Sequence, residues 1–282
     1  MEFLSRPRSV LFVPGDRSDL IAKAISSDAD AVCIDLEDGV AAKAKERARA
    51  SLFESIVSLK KAKGVVYIRL NSVGDKEAFH DDLAALDQSP DGIILSKAES
   101  WQQVHDVDIR LQEKGLSDKS LSIIAMIEDP ASLRSFENSP VISSRISGLL
   151  LGTEDFASVC RCEPHSPLIE TAYYRMVLLA RGAGLGAYGM PGGIGDFRNL
   201  TPFIRAASIA RNCGGDGAFA IHPKQIDVLK EIFSPTREEM QWADDVIALF
   251  EAGAETETGV VSLDGCMIDL PVYNRARQIR SE

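Results

Sequence analysis

Short apolar runs recur along the chain, and most of them stop at a charged or strongly polar residue. Eight follow one another: SVLFVPG, AVCIDLED, VVYIRLN, GIILSK, LSIIAMIED, GLLLGTEDF, GAYGMPGG and GAFAIHP. Runs of this length without strict alternation predict strands of a parallel sheet buried on both faces. Amphipathic stretches separate them. DLIAKAISSDA sets Leu20, Ile21, Ala24 and Ile25 on one helical face. KAKERARASLFESIVSLKKA carries charges first and then an apolar stripe of Leu52, Ile56, Val57 and Leu59, and ASLRSFENSP predicts a short helix ending before Pro140. Strands alternating with helices predict an α/β fold. Eight such units close most naturally as a (β/α)8 TIM barrel over residues 1–233, with a doubly wound open sheet as the alternative.

Residues 234–282 leave that rhythm. Ser234-Pro235 followed by acidic residues predicts a helix start. A hairpin-like turn at Asp264-Gly265 and a terminal helix come after it. This stretch is expected to belong to the same structural domain and to act as a lid or a subunit contact.

The residues that end the runs change the picture from fold to chemistry. Asp35, Glu37 and Asp38 close the second run, Arg69 the third, Glu128 the fifth, and Glu154 and Asp155 the sixth. In a barrel these positions face the mouth at the carboxyl ends of the strands, where such enzymes keep their active sites. Glu128 and Asp155 are hard oxygen donors on neighbouring strands, the kind of pair that holds magnesium while water and substrate complete its shell. Helix capping is the plainer alternative for both. Arg69 offers a planar fork to a substrate carboxylate. A structural salt bridge to Glu37 or Asp38 would also explain it, and the two roles are compatible. Free N–H groups at Gly152-Thr153-Glu154-Asp155 could take an anion, and Arg17 and Lys23 after the Pro14-Gly15 turn could meet phosphates. Lys97 ends the fourth run. An ion pair with Asp35 or Glu128 is favoured there over a Schiff base. His222, before Pro223, reads as an acid–base group or as a hydrogen-bonded brace.

Composition narrows the partners. Hydrophobic residues make up 45% and charged residues 26%, ordinary for a globular enzyme, and the net charge of -11 argues against nucleic-acid binding. No apolar run approaches the roughly 20 residues needed to cross a bilayer. The five cysteines, with Cys160 and Cys162 as C-x-C, lack zinc-site spacing and are expected to be reduced thiols in a cytoplasmic protein.

The segments RSVLFVPGDRSDLIAKA, ADAVCIDLEDGV, YIRLN, DGIILSKAES, AMIED, LLLGTEDF, AIHPKQI and VVSLDGCMIDLP run over nearly the whole chain. Together and in this order they resemble the citrate lyase beta-subunit-like group of the HpcH/HpaI aldolase superfamily. The resemblance implies a barrel that forms trimers or hexamers by packing its C-terminal extension on a neighbouring subunit. It implies magnesium on Glu128 and Asp155, and a substrate carboxylate held by Arg69 and the backbone at Glu154-Asp155. It also implies carbon–carbon cleavage of a short 3-hydroxyacyl-CoA of the malyl-CoA or citramalyl-CoA type. Asp269, in GCMIDLP, would be the acid–base group supplied by the adjacent subunit. With Arg69, Glu37 and Asp38 it completes the candidate catalytic set, while Arg17 and Lys23 would meet the CoA phosphates. Two other outcomes stay open: cleavage of a citryl group on an acyl carrier protein within a citrate lyase complex, and malyl-CoA hydrolysis. The chain departs from the group at Ser96-Lys97, where many relatives have Pro-Lys. It departs again at Gly189 and Asn199, where relatives often carry aspartates; that loop shapes the acyl pocket.

Overall fold

All eight apolar runs form strands: β1 (Ser9–Pro14), β2 (Ala31–Asp35), β3 (Val66–Leu70), β4 (Gly92–Leu95), β5 (Ser122–Ile127), β6 (Ile146–Leu151), β7 (Gly186–Tyr188) and β8 (Ala218–Ala220). The structure is a computed structural model and describes residues 6–86, 90–116, 121–141, 143, 145–255 and 261–281. The strands form one sheet in the order β7-β6-β5-β4-β3-β2-β1-β8, every pairing parallel. A parallel bridge from Tyr188 to Gly217 brings β7 beside the approach to β8 and nearly closes the barrel.

Helices fill the crossovers: α1 (Ser18–Ile25), α2 (Lys45–Ala50), α3 (Leu52–Lys63), α4 (Lys76–Ala85), α5 (Trp101–Glu113), α6 (Pro130–Glu137), α7 (Thr153–Cys160), α8 (Pro167–Gly182), α9 (Thr201–Asn212) and α10 (Pro223–Phe233). The α/β barrel expectation is met. One predicted helix is in fact two, because the chain breaks at Ser51 between α2 and α3. Ser51 Oγ turns back onto the Gly15, Arg47 and Ala48 carbonyls there, a local competition with the helix ladder. Leu52, Ile56 and Leu59 are buried as expected, but Val57 is 45% exposed, at the margin of the apolar stripe.

Strand periodicity decides what reaches the mouth. Ala31 and Cys33 on β2, Tyr67 on β3, and Ile124 and Met126 on β5 belong to one buried cluster fed by all eight strands. Side chains alternate along a strand, so the next positions on the same face are Asp35, Arg69 and Glu128. The register agrees, with Cys33 beside Tyr67 and Asp35 beside Arg69. The polar layer is therefore the continuation of the apolar one.

The chain divides into two compact units, Met1–Ile232 and Phe233–Glu282. In the second, α11 (Arg237–Glu255) precedes a hairpin of β9 (Val261–Leu263) and β10 (Cys266–Ile268) and then α12 (Leu270–Ser281). Ala243, Val246, Ile268 and Ala276 form its core. The hairpin turns at Asp264 and Gly265 with φ of 49° and 80°, as a two-residue primed turn requires. The helix start lies later than predicted. Thr236 and Glu239 form a reciprocal capping box, Thr236 Oγ1 accepting from the Glu239 N–H at 3.1 Å and Glu239 Oε2 from the Thr236 N–H at 2.8 Å.

Candidate active site

Arg69 is the hinge of the mouth. Its Nε and one terminal nitrogen donate to the two oxygens of Asp35 at 2.7 and 2.6 Å, and its other terminal nitrogen stands 3.2 Å from Glu37 Oε2. The Phe12 ring lies over the guanidinium, 4.9 Å from its centroid. Asp35 also accepts the Glu37 and Gly39 N–H groups, so the loop after β2 winds around this carboxylate. Of the two salt-bridge partners expected for Arg69, Glu37 is present and Asp38 is not. Asp35 takes the place of Asp38 because it shares Arg69's register on the adjoining strand. Three interactions engage a group with five N–H donors, leaving capacity on the terminal nitrogens for another acceptor.

The loop after β3 is fixed from below. Asp82, fully buried on α4, accepts from the Asn71 N–H and Nδ2 at 2.7 Å each and from Arg49 Nε at 2.8 Å. Asn71 Nδ2 also reaches the Leu36 carbonyl at 2.8 Å. This joins the ends of β2 and β3 two residues beyond Arg69.

Lys97 corrects an expectation. Its Nζ meets Glu37 Oε1 at 2.5 Å and Asp38 Oδ2 at 3.4 Å, not Asp35 or Glu128. What meets Glu128 is the Lys97 backbone N–H, at 2.5 Å from Oε2. The residue adopts φ 49°, which turns its amide toward β5 and its side chain toward β2. Burial opposes the Lys97 charge, but the Glu37 carboxylate outweighs it and holds the ammonium pKa above the ordinary lysine value. Burial raises the Glu37 carboxyl against the pull of Arg69 and Lys97. Asp38 is 61% exposed.

Glu128 and Asp155 come together as expected. Glu128 is 4% exposed, while Asp155 is half-buried in the first turn of α7. Burial first, then the Glu37 charge and the Asp155 carboxyl within hydrogen-bond reach, push the Glu128 pKa up to about 8. The space is shaped for Glu128: a Cβ on Gly152 would come within 2.9 Å of its Cδ. Among the described residues no side-chain cation stands at ion-pair distance from either acid, and no cluster of three or more His, Cys, Asp or Glu side chains is arranged for a metal. Two oxygen-donor acids lacking a counter-charge fit a hard divalent cation whose remaining ligands are water and substrate.

The α7 N-terminus carries no side-chain cap, which leaves its first N–H groups open to an anion. Asp155 makes no cap hydrogen bond, although it stands in the first turn where an acid favours the helix dipole, and the residue that caps after β5 is Asp129, which accepts from Ala131 and Ser132. Glu154 is exposed, with its carboxylate beside Gly193 of the β7–α9 loop. Arg17 forks onto Asp19 at 2.8 Å, and Lys23 is exposed in the last turn of α1. His222 stacks flat on Phe197 at 4.7 Å and accepts from the Lys224 N–H, which favours the brace. Asp269 lies in the second unit, half-buried, accepting from the Val272 N–H at the start of α12. All five cysteines are free thiols.

The chain is similar to proteins of known family. Residues 8–223 match the family model described as HpcH/HpaI aldolase/citrate lyase. Citrate lyase subunit beta of Escherichia coli K12 is 31% identical over 97% of this chain and 92% of its own length. The human mitochondrial citramalyl-CoA lyase is 29% identical over 96% of this chain and 83% of its own. The crystal structure of CitE from Mycobacterium tuberculosis in complex with magnesium, acetoacetate and coenzyme A superposes with a TM-score of 0.78 at 26% identity, covering 99% of this chain and 98% of that one.

Proposed function

The chain belongs to the HpcH/HpaI aldolase/citrate lyase family, and from that premise we propose that it is a magnesium-dependent lyase cleaving a short 3-hydroxyacyl-CoA. The substrate is of the malyl-CoA or citramalyl-CoA type and yields acetyl-CoA and a 2-oxo acid. The observation that carries the reading is the buried Glu128 beside Asp155, two carboxyls short of a cation at the same strand ends that carry Arg69. The CitE complex, with its magnesium, acetoacetate and coenzyme A, supports the same assignment of ligand classes.

Each residue then has a task. Glu128 and Asp155 would hold the ion, which when bound would lower the pKa of the substrate's hydroxyl and polarise the carbonyl that this hydroxyl becomes. Arg69, already fixed by Asp35 and Glu37, binds the carboxylate of the oxo-acid half through its remaining N–H donors and orients the scissile bond. The open N-terminus of α7 takes a second oxygen of that carboxylate. As the carbon–carbon bond breaks, the substrate hydroxyl gives its proton to solvent and becomes the oxo group, and the bond's electron pair passes to the thioester enolate. A protonated Asp269 of a neighbouring copy gives a proton to the carbon next to the thioester carbonyl, or removes that proton in the reverse direction. Arg17 and Lys23 meet the CoA phosphates, Arg17 exchanging its Asp19 partner for phosphate.

A second reading rests on the similarity to citrate lyase subunit beta: the citryl group of an acyl-carrier-protein thioester would be the substrate. The test is cleavage of malyl-, citramalyl- and citryl-CoA with magnesium and with EDTA, following acetyl-CoA and the 2-oxo acid. Magnesium-dependent cleavage of malyl- or citramalyl-CoA is expected. Cleavage of citryl-CoA alone would move the substrate to the second reading. Release of free CoA without a 2-oxo acid would overturn the lyase in favour of a thioesterase. Chains carrying Asp269→Asn and chains carrying Arg69→Ala should each be inactive and regain activity when co-assembled. No recovery would sink the role of Asp269 as a neighbour's acid.

A further inference from the structure

The turn after β4 is unusual in its backbone. Lys97 stands at φ 49°, a left-handed conformation that side chains with a Cβ seldom adopt. It is fixed on both sides: Ser96 Oγ donates to the Leu70 carbonyl of β3 at 2.8 Å, and the Ala98 N–H to the Met126 carbonyl of β5 at 2.9 Å. Glycine would satisfy this turn without strain and would still give its amide to Glu128. What lysine adds is the ammonium, and the ammonium goes to Glu37 Oε1.

That contact bears on the arginine. Glu37 offers Arg69 one oxygen, Oε2 at 3.2 Å, which also accepts the Asp38 N–H at 3.0 Å and can pivot there, while its other oxygen is occupied by Lys97. Asp35 already takes two N–H donors of the same guanidinium. A Glu37 released from Lys97 could swing fully onto Arg69 as a second two-oxygen partner, for carboxylates prefer to meet arginine with both oxygens. The guanidinium would then have no edge left for a ligand.

We infer that Lys97 is a positioning residue that holds Glu37 back from Arg69, so that the guanidinium keeps donors available for a substrate carboxylate. Lys97 touches no reacting atom in this role. It acts by competing for one carboxylate, and the inference rests on the reading of Arg69 as the carboxylate-binding group. Its amide serves a separate purpose, fixing Glu128, and that survives any change of side chain.

The experiment compares the wild type with Lys97→Met, Lys97→Gly and Lys97→Met/Glu37→Gln. Binding of oxaloacetate in the presence of magnesium, and of magnesium alone, is followed by calorimetry, and a crystal structure is determined for Lys97→Met. Both single variants should bind oxaloacetate at least about tenfold more weakly, with magnesium affinity within about twofold of wild type. The double variant should regain most of the loss, because a neutral amide does not capture the guanidinium; a merely structural role for Lys97 would not be repaired by changing Glu37. The Lys97→Met structure should show both Glu37 oxygens on Arg69. Unchanged oxaloacetate affinity in the single variants, or no recovery in the double variant, overturns the inference. So does a Lys97→Met structure with Glu37 still giving one oxygen. If the wild type cleaves none of the thioesters, the lyase reading fails, and the structure of Lys97→Met still decides whether Lys97 restrains Glu37.

Discussion

The two sides of the barrel mouth are balanced differently. Between β2 and β4, Asp35, Glu37 and Asp38 meet Arg69 and Lys97, and each carboxylate has a charged partner or a backbone N–H. Between β5 and the start of α7, Glu128 and Asp155 meet each other and one backbone N–H. On the first side every carboxylate is partnered before any ligand arrives, while Arg69 keeps donors open for one. The second holds a buried acid whose ionised form is unfavourable until a cation comes. On the proposed reading the difference divides the labour: the balanced side would provide orientation, and the unbalanced side affinity for a metal and a response to pH.

The sharpest way to break the balanced side is to remove its centre. Arg69→Ala should lower kcat/KM on the thioester by about 10⁴-fold or more, since it removes both carboxylate binding and bond orientation. It should also destabilise the fold by roughly 3–5 kcal/mol, because Asp35 and Glu37 are left buried without their guanidinium. Arg69→Lys separates the two effects. One ammonium can keep a contact with Asp35 but cannot fork, so stability should recover more than activity. Steady-state kinetics and thermal unfolding on the three proteins read both quantities, and equal recovery would show that the fork has no special role.

On the unbalanced side, Glu128→Gln and Asp155→Asn should each weaken magnesium binding by about 100-fold, measured by calorimetry, while leaving the Arg69 cluster in place. EDTA should abolish turnover of the wild type reversibly. Retained magnesium affinity in Glu128→Gln would place the ion elsewhere.

These residues were unequally legible in the sequence. The eight strands could be read because buried parallel strands are continuous apolar runs, and the acids at their ends mark the mouth. Asp35 was also readable, since Ala31, Cys33 and Asp35 share one face of β2. Periodicity, rather than the nearest acid in sequence, picks out the partner of Arg69. Lys97 was not readable. Its partner depends on a left-handed turn that no local composition announces, and the turn sends amide and ammonium to different strands. The break at Ser51 was hidden for a related reason: a serine inside a helical pattern signals nothing until its hydroxyl finds carbonyls to compete for.

The smallest effect tests the unbalanced side by pH alone. In the metal-free protein Glu128 has its pKa pushed from 4.5 up to about 8, chiefly by burial. An acid whose folded pKa is raised binds more protons folded than unfolded between those values, so it makes stability fall as pH rises. Its favourable contribution is complete below about 4.5, declines through the interval and is gone above about 8. At ~1.4 kcal/mol per pH unit the full interval bounds the effect at about 5 kcal/mol. Because Glu128 is coupled to its carboxyl neighbour, about 2 kcal/mol is the expected size. Denaturant unfolding of the EDTA-treated protein at pH 5.5 and pH 8.5 should show that decline, and Glu128→Gln should flatten it. Saturating magnesium should flatten it too, because the cation then balances the carboxylates in place of the proton. A wild-type slope that Glu128→Gln leaves unchanged would mean the proton sits elsewhere, and the contrast between the two sides of the mouth would no longer explain how the protein responds to pH.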